Sequence, residues 1–352
     1  MKKRTVIIVF TIVSIFIMVL AAFYIYRMKS ATTGVMETEE EPYKWSGWVV
    51  YWDYGGGMDE LREYGGMVSE IVAFAAIFDI NGDSILFLEQ ADDMIRLLHK
   101  NHGGTKSVYL SFTNDVQLEE GVYINKDTEI LWRLLGTDEA LDAHVEDLIG
   151  SAHGYGADGI EIDYEAIKRD EELWARFRLF VERLYSRCLN EDLLLRVVLG
   201  PFDADTGNFP EGPDYVIMCY NLHGPHSGPG PKADVAFLVQ TFKRNRSLPG
   251  NVAMAFSNGG FSWDENGNCR AVTETRAIEL LSEYGANAER DTASHSLSFG
   301  YETDEGVPVN VWFADRNTIE YWMGLACDYG YSSFAIWRLG GNDRGNLPFT
   351  GK

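Results

Sequence analysis

The segment DGIEIDYE at residues 158–165 carries four acidic side chains in eight positions. Its apolar and acidic residues alternate, which is typical of a strand, because successive side chains of a strand point to opposite faces. One face would carry Ile160, Ile162 and Tyr164, and the other Glu161, Asp163 and Glu165. A strand with one apolar and one acidic face is expected to separate a hydrophobic core from a site of different chemistry.

Seven further apolar runs of strand length accompany this segment, and helical patterns lie between most of them. The strands are predicted at 47–52, 70–78, 107–112, 158–165, 193–200, 215–220, 251–257 and 333–339, and the helices at 90–101, 137–152, 169–190, 234–244, 272–285 and 315–329. This alternation predicts an α/β protein with a (β/α)8 TIM barrel. A doubly wound open sheet is the alternative, but the YGGG run at 54–57 lacks the spacing of its phosphate loop.

The interval between the seventh and eighth predicted strands is too long for a single helix. It contains HSLSFGYE (295–302) and PVNVWFA (308–314), two strand-like runs joined by the turn TDEG (303–306). This pattern indicates a hairpin. Together with the helical pattern at 272–285, it predicts a small α+β insertion within residues 258–314, on the upper rim of the barrel.

The N-terminal residues predict a membrane anchor. Residues 5–26 are uncharged and are flanked by basic residues on both sides. Twenty-two helical residues span about 33 Å, enough to cross the hydrocarbon core, and the basic flank favours an N-terminus inside the cell. We therefore expect a single-pass anchor at 1–29, a linker at 30–44 and an extracytoplasmic barrel at 45–352. A cleaved signal peptide, which would yield a secreted protein, is the alternative.

The charge and the cysteines restrict the classes of partner and site. The net charge of −23 opposes nucleic-acid binding, whereas a neutral or zwitterionic polymer remains a suitable partner. The four cysteines form neither a CxxC pair nor a metal-binding cluster. Isolated buried thiols are expected, although their spacing leaves one disulfide possible.

The acidic face of the 158–165 strand is expected to line the barrel and to climb toward its catalytic mouth. Like charges in a poorly solvated interior raise at least one carboxyl pKa, and a carboxyl that is still protonated near neutral pH can act as a general acid. Glu165, the outermost acid, is best placed to reach a ligand. The alternatives are a divalent metal site, with Asp53, Asp79 or Asp343 as further ligands, and ion pairing with buried Arg or Lys.

The same segment resembles the DGxDxDxE signature of glycoside hydrolase family 18, the chitinase-like barrels, with Glu161 in place of an aspartate. MCYN (218–221) is similar to the M-x-Y-D of the family's sixth strand, and AIWRLGGND (335–343) to the end of its eighth. The stretches NLHGPHSGPGPKA and VWFADRNTIEYW look most like the branch that acts on spore or cell-wall peptidoglycan, the N-acetylglucosaminidases.

This resemblance implies a retaining, substrate-assisted hydrolysis of β-1,4 linkages beside N-acetylglucosamine, in peptidoglycan or chitin-like glycans. Glu165 would be the acid and base, Asp163 would orient the substrate acetamide, Tyr220 would hydrogen-bond it, and Trp337 would stack under the sugar. It implies no cofactor and no metal.

Two positions depart from the family pattern, Glu161 and Asn221, and both are expected to contact the substrate together with Tyr51 and His223. The extra methylene of Glu161 would change how Asp163 is held, and Asn221 removes an acid from the site. A non-catalytic, lectin-like sugar-binding barrel is therefore the alternative function, and a metal-dependent hydrolase is a third class.

Overall fold

The computed structural model describes residues 43–64, 68–82, 84–87, 91–102, 107–204 and 209–343. The predicted anchor at 1–29 and most of the predicted linker lie outside these residues. None of the helices within them has both the length and the apolar character needed to cross a membrane.

Eight parallel strands close into a barrel within the described residues. Each strand pairs with its two neighbours, and pairing of the first with the last completes the ring. In chain order the barrel strands are β1 (Lys44–Val50), β2 (Glu70–Asp79), β4 (Ser107–Glu119), β6 (Gly159–Asp163), β7 (Leu194–Leu199), β8 (Asp214–Met218), β9 (Val252–Ser257) and β15 (Ser333–Trp337). The predicted TIM barrel is therefore confirmed, and the alternative of an open sheet is wrong.

Helices cover the outside of the barrel. The described α-helices are Tyr54–Tyr64, Ala91–His102, Thr128–Leu135, Asp138–Tyr155, Glu171–Asn190, Val235–Asn245, Glu274–Glu283 and Arg316–Asp328. Two of these were not predicted. Three glycines at 55–57 obscure the first because glycine is a poor helix former. The other, Thr128–Leu135, does carry a readable start signal, since the Asp127 side chain accepts from the backbone N–H of Glu129.

The strand β6 separates two cores, as its alternating sequence predicts. Ile160 and Ile162 belong to the large core between barrel and helices, where the Tyr164 hydroxyl lies 2.8 Å from Nε2 of the buried His144. The opposite face of the barrel strands fills the interior. Its apolar members include Trp48, Val72, Tyr109, Val198, Val216 and Met218. The acids of β6 thus point into the barrel among aromatic and aliphatic side chains.

Two short strands extend the barrel sheet, β3 (Ile85–Phe87) beside β2 and β5 (Val122–Ile124) beside β4. A second sheet of five strands lies where the sequence predicts the α+β insertion. It consists of β10 (Gly259–Asp264), β11 (Cys269–Val272), β12 (Glu289–Arg290), β13 (Leu297–Glu302) and β14 (Pro308–Ala314). The helix Glu274–Glu283 packs on it through Ala277 and Leu280, which join a small separate core.

Candidate active site

Side chains on the inner face of β6 change from fully buried to solvent-accessible along the strand. The Glu161 side chain is 0% exposed, Asp163 is intermediate, and Glu165, just beyond the strand, is 23% exposed. The C-terminal ends of parallel barrel strands form the face on which TIM-barrel active sites lie. The structure therefore places the three acids in the order that their parity predicts.

Glu161 lies beneath the site and is enclosed by protein groups. Its Oε1 accepts from the indole Nε1 of Trp48 at 2.7 Å, and its Oε2 forms an ion pair with Nε of Arg196 at 2.7 Å. Arg196 is 1% exposed, also reaches Glu70 at 3.2 Å and lies over the Trp48 ring. Burial raises the pKa of Glu161, and the Arg196 charge opposes this. The expected substrate contact of Glu161 is therefore corrected: this side chain supports the site from below, by pairing with a buried arginine.

Asp163 follows Glu161 on the same face of β6. Its Oδ1 is buried and has no hydrogen-bond partner among the described residues. Burial raises its pKa well above the ordinary value, and the neighbouring charges of Glu165 and Glu161 act in the same direction. A buried polar atom without a partner is costly, and at a barrel mouth it is available to a ligand that brings a hydrogen-bond donor.

Glu165 is fixed through its backbone and leaves its carboxylate at the mouth. Asn114 receives the Glu165 N–H on its Oδ1 at 2.9 Å and donates to the Glu165 carbonyl at 3.1 Å. The carboxylate Oε2 meets Nζ of Lys126 at 2.7 Å. Lys126 is itself held by its backbone N–H, which donates to Asp115. Sequence reasoning missed Asn114 and Lys126, because Asn114 lies in β4 and Lys126 follows β5, and no spacing rule links either residue to Glu165.

Tyr220 lies close to these acids, and Trp337 lines the same cavity as Tyr220. Burial raises the pKa of Tyr220 well above its usual range, and the charges of Asp163 and Glu165 add to this, so its hydroxyl remains a hydrogen-bond donor. Trp337 ends β15 and packs edge-on against Phe74, with ring centroids 5.1 Å apart. Both residues line one cavity of about 300 Å³, here called the loop cavity.

The remaining predicted contacts divide between two cavities. Asn221 and His223 line the loop cavity, where Nδ1 of His223 lies 3.2 Å from the Ser227 hydroxyl. Tyr51 follows β1 in a short 3-10 turn, so the strand predicted to run to residue 52 ends earlier, at Val50. Tyr51 lines a larger cavity of about 750 Å³ with Trp52, here called the aromatic cavity. The structure thus separates Tyr51 from the other predicted contacts.

Two of the acids considered as further metal ligands, Asp53 and Asp79, have other partners. Asp53 pairs with Arg338 at 2.5 Å, and Asp79 accepts hydrogen bonds from Gly82 and Ser84 in a turn. Within the ranges that the structure describes, no group of three or more His, Cys, Asp or Glu is arranged to hold a metal ion. None of the four cysteines forms a disulfide within the part of the chain that the structure describes, and Cys188 and Cys219 are buried.

Comparison of sequences finds related glycosylases, although no family model matches the chain. A cortical fragment-lytic enzyme of Bacillus anthracis is 24% identical over 226 residues, which cover 58% of this chain and 50% of that protein. The putative sporulation-specific glycosylase YdhD of Bacillus subtilis is 25% identical over 232 residues, 60% of this chain and 54% of that one. The chain therefore spans about half the length of these curated relatives.

Comparison of folds leads to chitinases and cortex-lytic enzymes. A chitinase from Chromobacterium violaceum superposes with a TM-score of 0.72 at 20% identity, covering 86% of this chain and 95% of its own. The spore cortex-lytic enzyme SleL of Bacillus cereus superposes with a TM-score of 0.70 at 18% identity, covering 88% and 72%. The chain is thus similar in sequence to spore glycosylases and similar in fold to chitinases, which confirms the chitinase-like resemblance carried by residues 158–165.

Proposed function

We propose that the protein is a glycosidase that cleaves β-1,4 linkages beside N-acetylglucosamine in a cell-wall glycan. Peptidoglycan is the first substrate and a chitin-like glycan the second, because the related sequences are named as cortex-lytic or sporulation glycosylases. The barrel would act outside the cytoplasm, tethered to the membrane through residues 5–26, which is the location that the N-terminal sequence predicts.

The proposed reaction begins with proton transfer to the glycosidic oxygen. Glu165 gives this proton, the bond between that oxygen and the anomeric carbon breaks, and the carbonyl oxygen of the 2-acetamido group attacks the anomeric carbon. Glu165 does this as the neutral carboxylic acid, after its contact with Lys126 has been exchanged for one with the substrate oxygen. Water then attacks the anomeric carbon, the bond from that carbon to the acetamide oxygen breaks, and Glu165 takes a proton from the water. Two inversions at the anomeric carbon retain its configuration.

The other predicted residues hold the acetamide and stabilise the charge that develops. Asp163 accepts from the acetamide N–H and, as a carboxylate, stabilises the positive oxazolinium-like intermediate. Tyr220 donates its hydroxyl to the acetamide oxygen, and Trp337 stacks against the sugar ring. Burial raises the pKa of Asp163, and a positive charge above it would favour its carboxylate form.

One observation carries the proposal: the partnerless Oδ1 of Asp163 lies beneath the accessible carboxylate of Glu165 at the barrel mouth. A lectin-like barrel has no need for a buried acid without a partner, whose desolvation costs stability. Substrate-assisted hydrolysis does need one, because the substrate supplies the missing donor.

The test is the hydrolysis of purified peptidoglycan and of N-acetylglucosamine oligomers by the protein and by its Glu165→Gln variant. We expect the variant to lose about 1,000-fold or more of the turnover, because the amide cannot transfer a proton. Mass spectrometry of the products identifies the sugar at the new reducing end. Glu146→Gln is the matched control, because it also removes a carboxylate from a partly exposed ion pair, with Arg187 on the outer helices.

Full activity in Glu165→Gln would overturn the catalytic assignment. Binding of the glycan without any product from the unmodified protein would favour the lectin-like barrel instead. Activity lost on adding a chelator would favour the metal-dependent class, since substrate-assisted hydrolysis uses no metal ion.

A further inference from the structure

A third cavity lies between the barrel mouth and the five-stranded sheet. Its volume is about 240 Å³, room for roughly one sugar ring or a large substituent, since sites for drug-sized ligands run from about 300 to 1,000 Å³. We call it the cationic cavity. Trp337 forms part of its wall and part of the wall of the loop cavity, and Trp52 joins it to the aromatic cavity. It therefore adjoins the position where a sugar would stack.

Two cationic side chains line this cavity, and none of its described lining residues is acidic. The ammonium of Lys232 donates to the Ser257 hydroxyl at 2.5 Å and to the carbonyl of Asn258 at 3.2 Å, and both acceptors are neutral. The Arg338 backbone N–H donates to the Oδ1 of the same Asn258, and its guanidinium pairs with Asp53. Two cations thus meet around Asn258, and the Asp53 carboxylate pairs with one of them, Arg338.

The Lys232 ammonium is the one whose charge is poorly compensated. It is partly buried and lies 5.1 Å from the centre of the Phe261 ring of the second sheet. Burial and, to a smaller extent, the charge of Arg338 together lower its pKa to about 7. An anion in the cavity would offset both effects, since charge-assisted hydrogen bonds are strong where solvent is displaced.

The two cationic side chains of the cavity contrast with the net charge of the chain. Acidic residues outnumber basic ones so far that the net charge is −23, and a general field of this sign repels anions. Lys126, which pairs with Glu165, and Lys232 both line the loop cavity. Two lysines therefore line a cavity at the barrel mouth of a protein whose net charge is strongly negative.

We propose that the cationic cavity binds a carboxylate attached to the glycan, next to the sugar that stacks on Trp337. This inference rests on the proposed function and narrows it to acidic glycans. The lactyl carboxylate of N-acetylmuramic acid has the required chemistry, whereas chitin has no carboxylate. Lys232 and Arg338 then act as specificity residues that select a peptidoglycan-like chain over an uncharged polymer of N-acetylglucosamine.

The test compares two soluble oligosaccharides of equal length. One alternates N-acetylglucosamine with unsubstituted N-acetylmuramic acid, and in the other the same carboxyls are reduced to alcohols. We expect kcat/KM to be about 10- to 100-fold higher for the acidic oligosaccharide. Lys232→Met should remove most of this ratio, because it lowers kcat/KM for the acidic oligosaccharide far more than for the reduced one.

Two variants separate charge from structure. Lys232→Arg keeps the charge and should retain most of the preference, and Lys243→Met removes an exposed lysine from the helix Val235–Asn245 and should leave it unchanged. Equal kcat/KM for the two oligosaccharides in the unmodified protein would overturn the inference. So would an equal loss on both substrates in Lys232→Met and Lys232→Arg.

Binding measured by calorimetry keeps this test independent of catalysis. If neither oligosaccharide is hydrolysed, the proposed function fails, but tighter binding of the acidic oligosaccharide that is lost in Lys232→Met would still support the carboxylate site. Equal affinity of the unmodified protein for both oligosaccharides would remove that support, whatever the turnover.

Discussion

Glu161 and Glu165 lie on the same face of the 158–165 segment and form ion pairs of the same length, one buried and one accessible to solvent. Glu161 Oε2 lies 2.7 Å from Nε of Arg196, and the two side chains are 0% and 1% exposed. Glu165 Oε2 lies 2.7 Å from Nζ of Lys126, and these side chains are 23% and 49% exposed. The distance alone therefore does not distinguish a structural pair from one that can open.

Solvent decides what each pair can do. Removing one partner of a buried pair leaves an unpaired charge in a medium that solvates it poorly, so the pair cannot open without a large cost. An exposed pair contributes little, because water replaces the lost partner. Glu161 is thus fixed beneath the site, whereas Glu165 can leave Lys126 for a substrate oxygen at small cost.

Of the substitutions that remove one partner of these ion pairs, Arg196→Met is expected to have the largest effect on stability. The variant leaves Glu161 and Glu70 without their shared cation inside the barrel. We expect the free energy of unfolding at neutral pH to fall by about 3–5 kcal/mol, measured by urea denaturation.

The double variant Arg196→Met/Glu161→Met supplies the control for that loss. It removes the unpaired carboxylate as well and should recover a large part of the stability, because a buried ion pair can often be replaced by apolar side chains. If Arg196→Met is as stable as the unmodified protein, the ion pair with Arg196 does not offset the cost of burying the Glu161 carboxylate.

The next effect concerns Asp163, which lies between the two pairs. Asp163→Asn should reduce kcat by about 100- to 1,000-fold, because an amide cannot stabilise the positive charge of the proposed intermediate. Turnover of peptidoglycan oligosaccharides measures this loss. A decrease of less than about tenfold would contradict the assignment of Asp163 to that intermediate.

The same variant should be more stable than the unmodified protein at neutral pH. Burial raises the pKa of Asp163 in the folded state above its unfolded value of about 4. The contribution of Asp163 to the free energy of unfolding is therefore fully present below the unfolded pKa and is lost as the pH rises through the folded pKa. Asparagine does not titrate. The stability advantage of Asp163→Asn should therefore be absent near pH 3 and grow toward pH 7, as urea denaturation at both values would show.

The sequence was sufficient to predict the barrel and the faces of β6, because a period of two in apolar and acidic residues reports directly on burial. Ile160 and Ile162 had to face the helices, and the acids had to face the interior. The predicted proton donor followed from its place at the end of the strand.

The partners of these acids could not be predicted in the same way. Arg196 stands in β7, Lys126 follows β5, and Lys232 lies beyond β8, so only the closed barrel brings them to the acidic strand or its mouth. Arg196 did leave a signal, since a lone arginine within the apolar run 193–200 requires a buried acid. That signal could have corrected the expected role of Glu161 before the structure was known.

The smallest expected effect completes the comparison of the two ion pairs. Lys126→Met removes the partner of Glu165, just as Arg196→Met removes the partner of Glu161, and the two ion pairs have the same length. We nevertheless expect Lys126→Met to change the free energy of unfolding by less than about 1 kcal/mol, because the Glu165 pair is accessible to water. Urea denaturation of both variants under one set of conditions measures the difference. A loss from Lys126→Met as large as that from Arg196→Met would mean that Glu165 is held as firmly as Glu161, and a carboxylate held so firmly could not move to a glycosidic oxygen.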